Sequence, residues 1–448
     1  MQFLNKQGVA VPCLLSAFGF IFSFSIFFPG WMSPDSMSQY IEAKEGLYSD
    51  HHPLIMAWVW NKLNYLYEGP AIMLALNLGL YWAGWALFSI SLESAISRIA
   101  IFLPIAGLWP PVLLPSAQIW KDIAFSNSLF CAFSVVVLCY CQKRCLSIIE
   151  LIFIFGLTVY ATGVKPNGIL AVICLFCFTG FIQSHLRWKN RSIIVWTIFL
   201  TLSTVLSIQA IGSATNYVKM YSVQQYIQIH DTVGISVLTR KNLLPNYLRQ
   251  KNEELNSVKS LQRIYSPANN NYIYFTLEKG VWTSSRQSLQ ELHESWLTAI
   301  RSYPMKYLEH RLNVSLELLR WGNDFPAYTV VPEIVPNKYG LKYNKNIFAL
   351  YLYSSVEKLG VSYYPWIYLV LGALLAIGLY VLLPAFRIPL AFLNIASFSF
   401  VWPHFFIAPA NDYRYLYFSI LIAVFLISSA ILAFVKSLGI RCCKKRVQ

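Results

Sequence analysis

Long apolar runs recur along most of this chain, and they constrain its fold more than any other feature. A helix needs about 20 apolar residues to cross a bilayer, and about ten runs in the sequence approach that length. They lie near 9–29, 70–91, 99–115, 123–141, 147–163, 167–184, 192–212, 361–384, 388–408 and 414–435. Because 56% of the residues are hydrophobic and only 12% are charged, with a mean hydropathy of +0.50, the sequence predicts an all-α polytopic membrane protein.

A long polar stretch between the seventh and eighth runs divides the chain into three parts. The sequence predicts an N-terminal transmembrane module, 1–212, which includes a polar first loop, 30–68. A polar, helix-rich domain, 213–360, follows. The C-terminal transmembrane module, 361–448, ends in the basic tail RCCKKR, which is typical of a cytoplasmic anchor.

Three segments outside the apolar runs have recognisable local patterns. Apolar residues at helical spacing predict helices over 286–320, broken at Pro304. Weak alternation over 272–283 is typical of a strand. The segment 53–68 is rich in Trp and Tyr, and it predicts a helix that lies in the membrane interface rather than crossing it.

The charges beside the apolar runs predict the side of the membrane that each segment occupies. If both termini are cytoplasmic, the inner segments contain only two acidic residues, Glu93 and Glu150. The basic residues in the same segments are Lys6, Arg98, Lys143, Arg144, Arg187, Lys189, Arg191, Arg387, Lys436, Arg441, Lys444, Lys445 and Arg446. In the short outer segments the acidic residues outnumber the basic ones. This asymmetry follows the positive-inside rule. We therefore expect 30–68 and 213–360 to be external, which means periplasmic if the membrane is the inner membrane of a Gram-negative bacterium.

Cysteine usage and net charge exclude several classes of protein. The nine Cys lie in or beside apolar runs or in basic segments, and 213–360 has none. The sequence therefore shows neither a disulfide framework nor a zinc spacing. The formal net charge of +15 follows the ends of the apolar runs, as membrane topology does. We expect no nucleic-acid partner.

The first polar segment, GWMSPDSMSQYIEAKEGLYSDHHP, contains a helix with its own start and stop signals. Ser33 suits the cap, the following Pro the first helical position, and Gly46 the end. Asp35 then falls in the first turn, where the helix dipole favours a carboxylate. A second polar cluster, Asp50-His51-His52, precedes Pro53, which favours an extended backbone before it.

Three further loops place charges at the same predicted depth. AQIWKDIAF carries Lys121 and Asp122, TGVKPNG carries Lys165, and PANDYRYLY carries Asp412 and Arg414. Charges at a membrane boundary are candidates for a functional site. Together with the first loop, they indicate a site built from four loops at the outer face.

These residue types suit transfer from a lipid phosphate. Lys and Arg bind the phosphate as a leaving group and stabilise the charge that develops on it. A carboxylate opposite can deprotonate an acceptor hydroxyl as a general base. A sugar can then be displaced at its anomeric carbon with inversion, without a protein nucleophile.

The pieces Pro-Asp-Ser, Asp-His-His-Pro, VKPNG, NDYRYLY and IRSYPMKYLEHR together resemble bacterial membrane glycosyltransferases of the GT-C fold. They are most similar to the O-antigen-modifying glucosyltransferases of serotype conversion, and the resemblance spans most of the chain. It implies a GT-C-like bundle of about ten transmembrane helices with a helix-rich external domain. The chain lacks a later DxD motif and a WWDYG-like signature, which argues against metal dependence.

The resemblance implies that a hexose, glucose being the expected one, moves from an undecaprenyl-phosphate donor to a lipid-linked surface polysaccharide such as O-antigen. Asp35 would be the catalytic base, with Asp50 and His52 assisting or orienting. His51, Lys121, Asp122, Lys165, Asp412 and Arg414 are candidates for substrate binding, chiefly of the donor phosphate. We expect no cofactor and no metal site, since a metal needs three or four ligands and only Asp50-His51-His52 offers several together.

Structural alternatives remain open for each of these residues. Asp35 fits a first-turn acid that only satisfies the helix dipole, and Asp50-His51-His52 fits a solvated turn. Lys121 could pair with Asp122 and Arg414 with Asp412, while Lys165 could extend to lipid headgroups.

Two other functions are also compatible with the sequence. A polysaccharide polymerase would use the same leaving group but transfer a whole repeat. A transporter or flippase of lipid-linked sugars would be expected to show repeat symmetry and polar residues at mid-span, whereas these charges cluster at one face.

Overall fold

A computed structural model describes residues 6–184, 193–219, 222–277, 279–322 and 329–445. Within these ranges the regular structure is helical except for one two-stranded sheet, so the all-α prediction is confirmed. Four basic residues of the predicted inner segments, Arg187, Lys189, Arg191 and Arg446, lie outside the described residues.

The helices are numbered in chain order. The first nine, before the polar domain, are α1 Lys6–Phe27, α2 Pro34–Glu45, α3 Leu54–Leu63, α4 Ala71–Glu93, α5 Pro110–Ser116, α6 Lys121–Cys141, α7 Ile148–Val164, α8 Ile169–Gln183 and α9 Ile193–Ser213. The polar domain and its junction contain α10 Ser222–Thr239, α11 Asn246–Lys251, α12 Val258–Ile264, α13 Asn271–Phe275, α14 Arg286–Ser302, α15 Pro304–Leu319, α16 Ile347–Tyr353 and α17 Ser355–Lys358. The last four are α18 Pro365–Leu382, α19 Arg387–Val401, α20 His404–Ile407 and α21 Tyr417–Lys445. The strands are β1 Leu47–Ser49 and β2 Asn216–Val218.

Eight helical segments among the described residues are long and apolar enough to cross a membrane, which makes the chain a multi-pass membrane protein. The other two predicted spans differ from straight crossings. The run 99–115 forms a 3-10 helix, Arg98–Leu108, and α5, which meet at a bend of 61°. Trp109 has an extended backbone at the bend because it precedes Pro110. The helix α7 is apolar but only 17 residues long.

The core of the bundle is centred on α6, which is buried along nearly its whole length. It packs between α4, α7 and α21, and α1 covers the outer side of α4. The first residues of α6 are Lys121 and Asp122. Packing of α6 therefore places two candidate site residues at one end of the bundle, among the ends of neighbouring helices.

The insert domain, residues 213–360, has two parts. The helices α10 to α14 enclose a small core of their own, which includes Ile229, Val233, Leu248 and Leu292. From α15 onward, buried residues such as Val314 join the core of the bundle instead. The predicted helices of 286–320, broken at Pro304, are confirmed as α14 and α15.

The strand predicted over 272–283 is wrong, because this segment begins with the short helix α13 and continues as turns. Ile273 and Tyr274 are both buried, which a strand with one solvated face would not allow.

The interfacial segment 53–68 contains a helix, but α3 is shorter than predicted and ends at Leu63. Its Trp60 is fully buried and donates a hydrogen bond to the Gly69 carbonyl at 3.0 Å.

Backbone pairing joins the insert domain to the first loop. The strands β1 and β2 are parallel, with Tyr48 opposite Tyr217. The Met32 amide donates to the Glu333 carbonyl at 2.9 Å, and the Val335 amide donates to the Met32 carbonyl at 3.1 Å. The insert domain therefore holds the loop directly before α2.

Candidate functional site

Asp35 is held by the start of α2, which forms as its sequence predicts. The Ser33 hydroxyl accepts from the Ser36 amide at 3.5 Å, Pro34 opens the helix, and Gly46 ends it with φ +67°. The Trp120 indole also donates to the Ser33 hydroxyl at 2.7 Å. This bond fixes the start of α2 against the start of α6. The Asp35 side chain remains 35% exposed, so a substrate can reach its carboxylate.

Arg414 joins carboxylates from three separate loops. Its guanidinium lies 2.7 Å from Asp35 and 2.9 Å from Asp412, while Asp122 is 3.7 Å away. Arg414 thus pairs with Asp412, an alternative that the sequence left open, and also with Asp35 and Asp122, which are far from it in the sequence. The guanidinium carbon lies 4.6 Å from the centre of the Trp120 ring. Enclosed by charge and an aromatic face, the guanidinium has a fixed orientation.

Lys165 forms a buried ion pair with Asp122. No acid lies beside Lys165 in the sequence, but Asp122 reaches it from α6. The side chain is only 5% exposed, so it does not extend to lipid headgroups. A Cβ at Gly168 would lie 2.4 Å from the Phe125 ring, so glycine permits the close approach of α8 to α6 that brings this pair together.

Lys121 differs from the other two cations. Among the described residues its ammonium forms no ion pair or hydrogen bond, although the charges of Asp122, Asp35 and Arg414 act on it. The alternative in which Lys121 pairs with its neighbour Asp122 is therefore wrong, because Asp122 faces Lys165. An ammonium without a direct partner, beside an accessible carboxylate, is available to an anionic ligand.

His52 is buried against the same cluster. Only 5% of the residue is exposed, and neither ring nitrogen has a hydrogen-bond partner within the described chain. Burial, together with the positive charge of Lys121, lowers the pKa of His52 to about 3. The ring is therefore neutral at neutral pH and offers one donor and one acceptor to a ligand.

The other two members of the Asp-His-His segment lie further out. His51 is exposed, and its ring lies 4.6 Å from the His52 ring and 6.0 Å from Trp282 of the insert domain. Asp50 lies towards β2, where burial and this carboxylate together raise the pKa of Tyr217. Asp50 is thus less directly placed than Asp35 to act at Arg414.

Two carboxylates that share Arg414 have opposite pKa shifts. Burial disfavours the charged form of Asp35, but the positive charges of Arg414 and Lys121 hold its pKa well below the usual range. Burial raises the pKa of Asp412, aided by the negative charges of Asp35 and Asp122 and opposed by Arg414. Paired carboxyl groups whose pKa values diverge are typical of sites with separate acid and base roles.

Three aromatic residues complete the cluster, and the sequence analysis did not select them. Trp120 and Tyr415 flank the charged residues in the sequence, and the Tyr415 ring lies 5.3 Å from the Lys165 ammonium. Adjacency to Lys121 and Arg414 could have identified both. Tyr226 comes from α10 of the insert domain. Burial raises the pKa of its hydroxyl, and the negative charges of Asp412 and Asp35 raise it further. No local pattern in the sequence indicates this placement.

Seven of the nine candidate residues therefore form one cluster or contact it closely, at one end of the bundle and beneath the insert domain. His51 and Asp50 extend the cluster along the first loop. Within the described ranges, no group of three or more His, Cys, Asp and Glu side chains is arranged to hold a metal ion. Comparison of the chain with protein-family models, curated proteins and solved structures gives no match, so the geometry of this cluster is the basis of the functional argument.

Proposed function

We propose that the chain is an inverting glycosyltransferase of GT-C type in a bacterial inner membrane. It transfers a hexose, glucose being the expected one, from a polyprenyl-phosphate donor to a lipid-linked surface polysaccharide such as O-antigen. One observation carries the proposal: loops from three parts of the chain bring together an accessible carboxylate, Asp35, the guanidinium of Arg414 and the unpaired Lys121. Both the termini and the basic tail are assigned to the cytoplasm, and the cluster to the periplasmic face.

The proposed reaction needs one base and one anion site. The acceptor hydroxyl attacks the anomeric carbon, and its proton passes to the Asp35 carboxylate. The bond from the anomeric carbon to the phosphate oxygen breaks, and the polyprenyl phosphate leaves with the electron pair. Arg414 and Lys121 stabilise the charge on that leaving group. The single displacement inverts the anomeric configuration.

The ion pair with Arg414 gives Asp35 a pKa too low for an efficient base in the free protein. A bound phosphate competes for the same guanidinium, and the added negative charge raises the pKa of Asp35 towards its ordinary value. Asp35 therefore becomes a better proton acceptor only when the donor occupies the site. This dependence would limit reaction in the absence of donor.

The remaining residues have supporting roles in this proposal. Asp412 keeps Arg414 oriented, with contacts at 2.9 and 3.0 Å. Lys165 and Asp122 neutralise each other and brace the base of the site. His52 can hydrogen-bond a sugar hydroxyl, and Asp50 and His51 assist along the first loop. The insert domain contributes Tyr226 and Trp282, and we assign acceptor recognition to it.

The sugar composition of the surface polysaccharide, in cells with and without this chain, tests the proposal. We expect one additional hexose per repeat when the wild-type chain is present, and none with Asp35→Asn. Shorter polysaccharide of unchanged composition in cells without the chain would instead indicate a polymerase. Loss of all surface polysaccharide, with lipid-linked precursor accumulating inside, would indicate a flippase.

Reporter fusions test the orientation separately. A reporter fused after Lys436 should be active only in the cytoplasm. A reporter inserted at Asn256, in an exposed turn of the insert domain, should be active only outside. The reverse pattern would move the whole cluster to the cytoplasmic face and contradict the proposal.

A further inference from the structure

The helix α15 carries an apolar stripe on the side opposite its buried face. Met305, Leu308 and Leu312 are 72%, 42% and 50% exposed. Their spacing of three and four residues places them on one side of the helix. The opposite side, with His310 and Val314, is fully buried against the rest of the protein. Three large apolar side chains in a row are unusual on the outside of a polar domain.

Two buried arginines fix the direction of α15 relative to the membrane. Arg311 donates to the Ala408 carbonyl at 2.9 Å, directly after α20. Arg320, the residue after the helix, donates to the Tyr363 carbonyl at 2.8 Å, just before α18. Both acceptors lie at the same end of the antiparallel pair α18 and α19. The two arginines are nine residues apart, or about 13 Å along a helix, so the second half of α15 passes between the ends of two spans.

Exposed aromatic residues also lie at the span ends next to α15. Trp321 follows α15 and is 56% exposed, and its ring lies 4.9 Å from that of Trp366 at the start of α18. Trp402 and Phe406, at the corresponding end of α19 and in α20, are 64% and 37% exposed. Aromatic side chains at span ends are typical of the membrane interface. Exposed aromatic residues thus lie at the two span ends that Arg311 and Arg320 contact.

We propose that the exposed face of α15 is embedded in the interfacial layer of the bilayer and binds phospholipid there. The helix would lie in the membrane plane, with its apolar stripe at the boundary between headgroups and acyl chains. This surface would keep the insert domain pressed against the bundle. Since Arg311 holds the Ala408 segment four residues before Asp412, the membrane contact would also steady the chain that leads to the site.

A second copy of the chain is the other occupant to consider. A stable protein interface buries about 800 Å² on each partner, and three side chains on one helix supply far less. The exposed aromatic residues at the adjoining span ends favour the bilayer instead. The inference rests on the multi-pass fold and not on the proposed reaction, so each can fail without the other.

Photo-crosslinking tests this surface in the full chain. A benzophenone amino acid replaces Met305, Leu308 or Leu312, and the purified protein is reconstituted in vesicles of phosphatidylethanolamine and phosphatidylglycerol. The control carries the same amino acid at Gln290, an exposed residue in the first two turns of α14. After illumination, mass spectrometry measures phospholipid adducts on each protein.

We expect at least a tenfold excess of phospholipid adduct at the three stripe positions over Gln290. If the two leucine variants do not fold, the adduct is measured on the Met305 variant alone, because Met305 is the most exposed of the three residues. Adducts no more frequent than at Gln290 would overturn the proposal. Crosslinks to a second copy of the chain in place of lipid would also overturn it and assign the stripe to an oligomer contact.

Discussion

Two clusters of charged residues, one around Asp231 in the insert domain and one around Asp35, differ in how their charges are paired. In the insert domain, Asp231 accepts from the Trp296 indole at 2.8 Å, while Arg311 and His310 lie 2.5 and 3.1 Å away. Asp231, His310 and Arg311 are all fully buried. Burial opposes ionisation of Asp231, yet Arg311 and His310 hold its pKa below the ordinary value.

The cluster around Asp35 is incomplete by comparison. Its carboxylate is partly exposed, and Lys121 has no direct partner in the described chain. A cluster that supports the fold pairs its charges and excludes water, whereas a site leaves groups available to a ligand. The comparison assigns stability to the Asp231 cluster and chemistry to the Asp35 cluster.

The largest expected effect is that of Asp35→Asn on the rate of sugar transfer. Removal of a general base typically costs about 10²–10⁴ in rate. The amide retains the size of the side chain, and Arg414 keeps Asp412, so we expect the free energy of unfolding to change by about 1 kcal/mol or less. Turnover and thermal unfolding of the purified protein measure both. Asp50→Asn is the control and should keep a near-normal rate; if it is the inactive variant instead, Asp50 is the base.

Asp231→Asn should have the opposite profile. The change leaves Arg311 buried without its counter-charge, which typically costs about 3–5 kcal/mol of stability. We expect a large fall in the midpoint of thermal unfolding, with a normal rate for the molecules that remain folded. Glu309→Gln, which removes an exposed ion pair with Lys306, should change stability by about 1 kcal/mol at most. An Asp231→Asn protein with normal stability and lost activity would invalidate the distinction between the clusters.

The two lysines of the site should separate binding from stability. Lys121→Gln removes a cation without a protein partner, and we expect the donor KM to rise about tenfold, as for the loss of one charge-assisted contact. Its unfolding midpoint should not change. Lys165→Gln leaves the buried Asp122 with only the longer contact to Arg414 at 3.7 Å, so we expect a loss of stability of about 3 kcal/mol. If Lys165→Gln instead raises the donor KM and keeps the midpoint, the phosphate contact belongs to Lys165.

The smallest expected effect concerns His52 and acid. Its pKa is about 3 in the folded protein, against about 6.5 in an unfolded chain. Between these values the unfolded state binds a proton that the folded state does not, so stability falls as the pH falls below about 6.5. We expect His52→Gln to reduce this loss, measured as the slope of unfolding midpoint between pH 7 and 4.5. An unchanged slope would show that His52 is not buried in its neutral form.

The sequence was sufficient for features that depend on neighbouring residues or on long periodic patterns. The caps of α2, the break at Pro304 and most membrane spans follow from such local signals. The convergence of Asp35, Lys121, Lys165 and Arg414 could also be predicted, because topology places all their loops at one end of the bundle.

Partner choice within the site could not be predicted from the sequence. Lys165 pairs with Asp122, 43 residues earlier, and Arg414 reaches Asp35 across most of the chain, since tertiary packing decides both contacts. The Asp231 cluster gave no sequence signal either, because its members are spread over α10, α14 and α15. The strand predicted over 272–283 failed for a related reason: tertiary burial outweighed a weak local alternation.

Direct transfer by the purified chain is the most decisive measurement of the proposed function. The wild-type protein, reconstituted in vesicles, is given a polyprenyl-phosphate hexose labelled at the anomeric carbon and a lipid-linked polysaccharide acceptor. We predict that the label moves to the acceptor, that its anomeric configuration in the product is inverted, and that Asp35→Asn abolishes the transfer. Transfer with retained configuration, or transfer that is equally fast with Asp35→Asn, would contradict the assignment of Asp35 as the base of an inverting displacement.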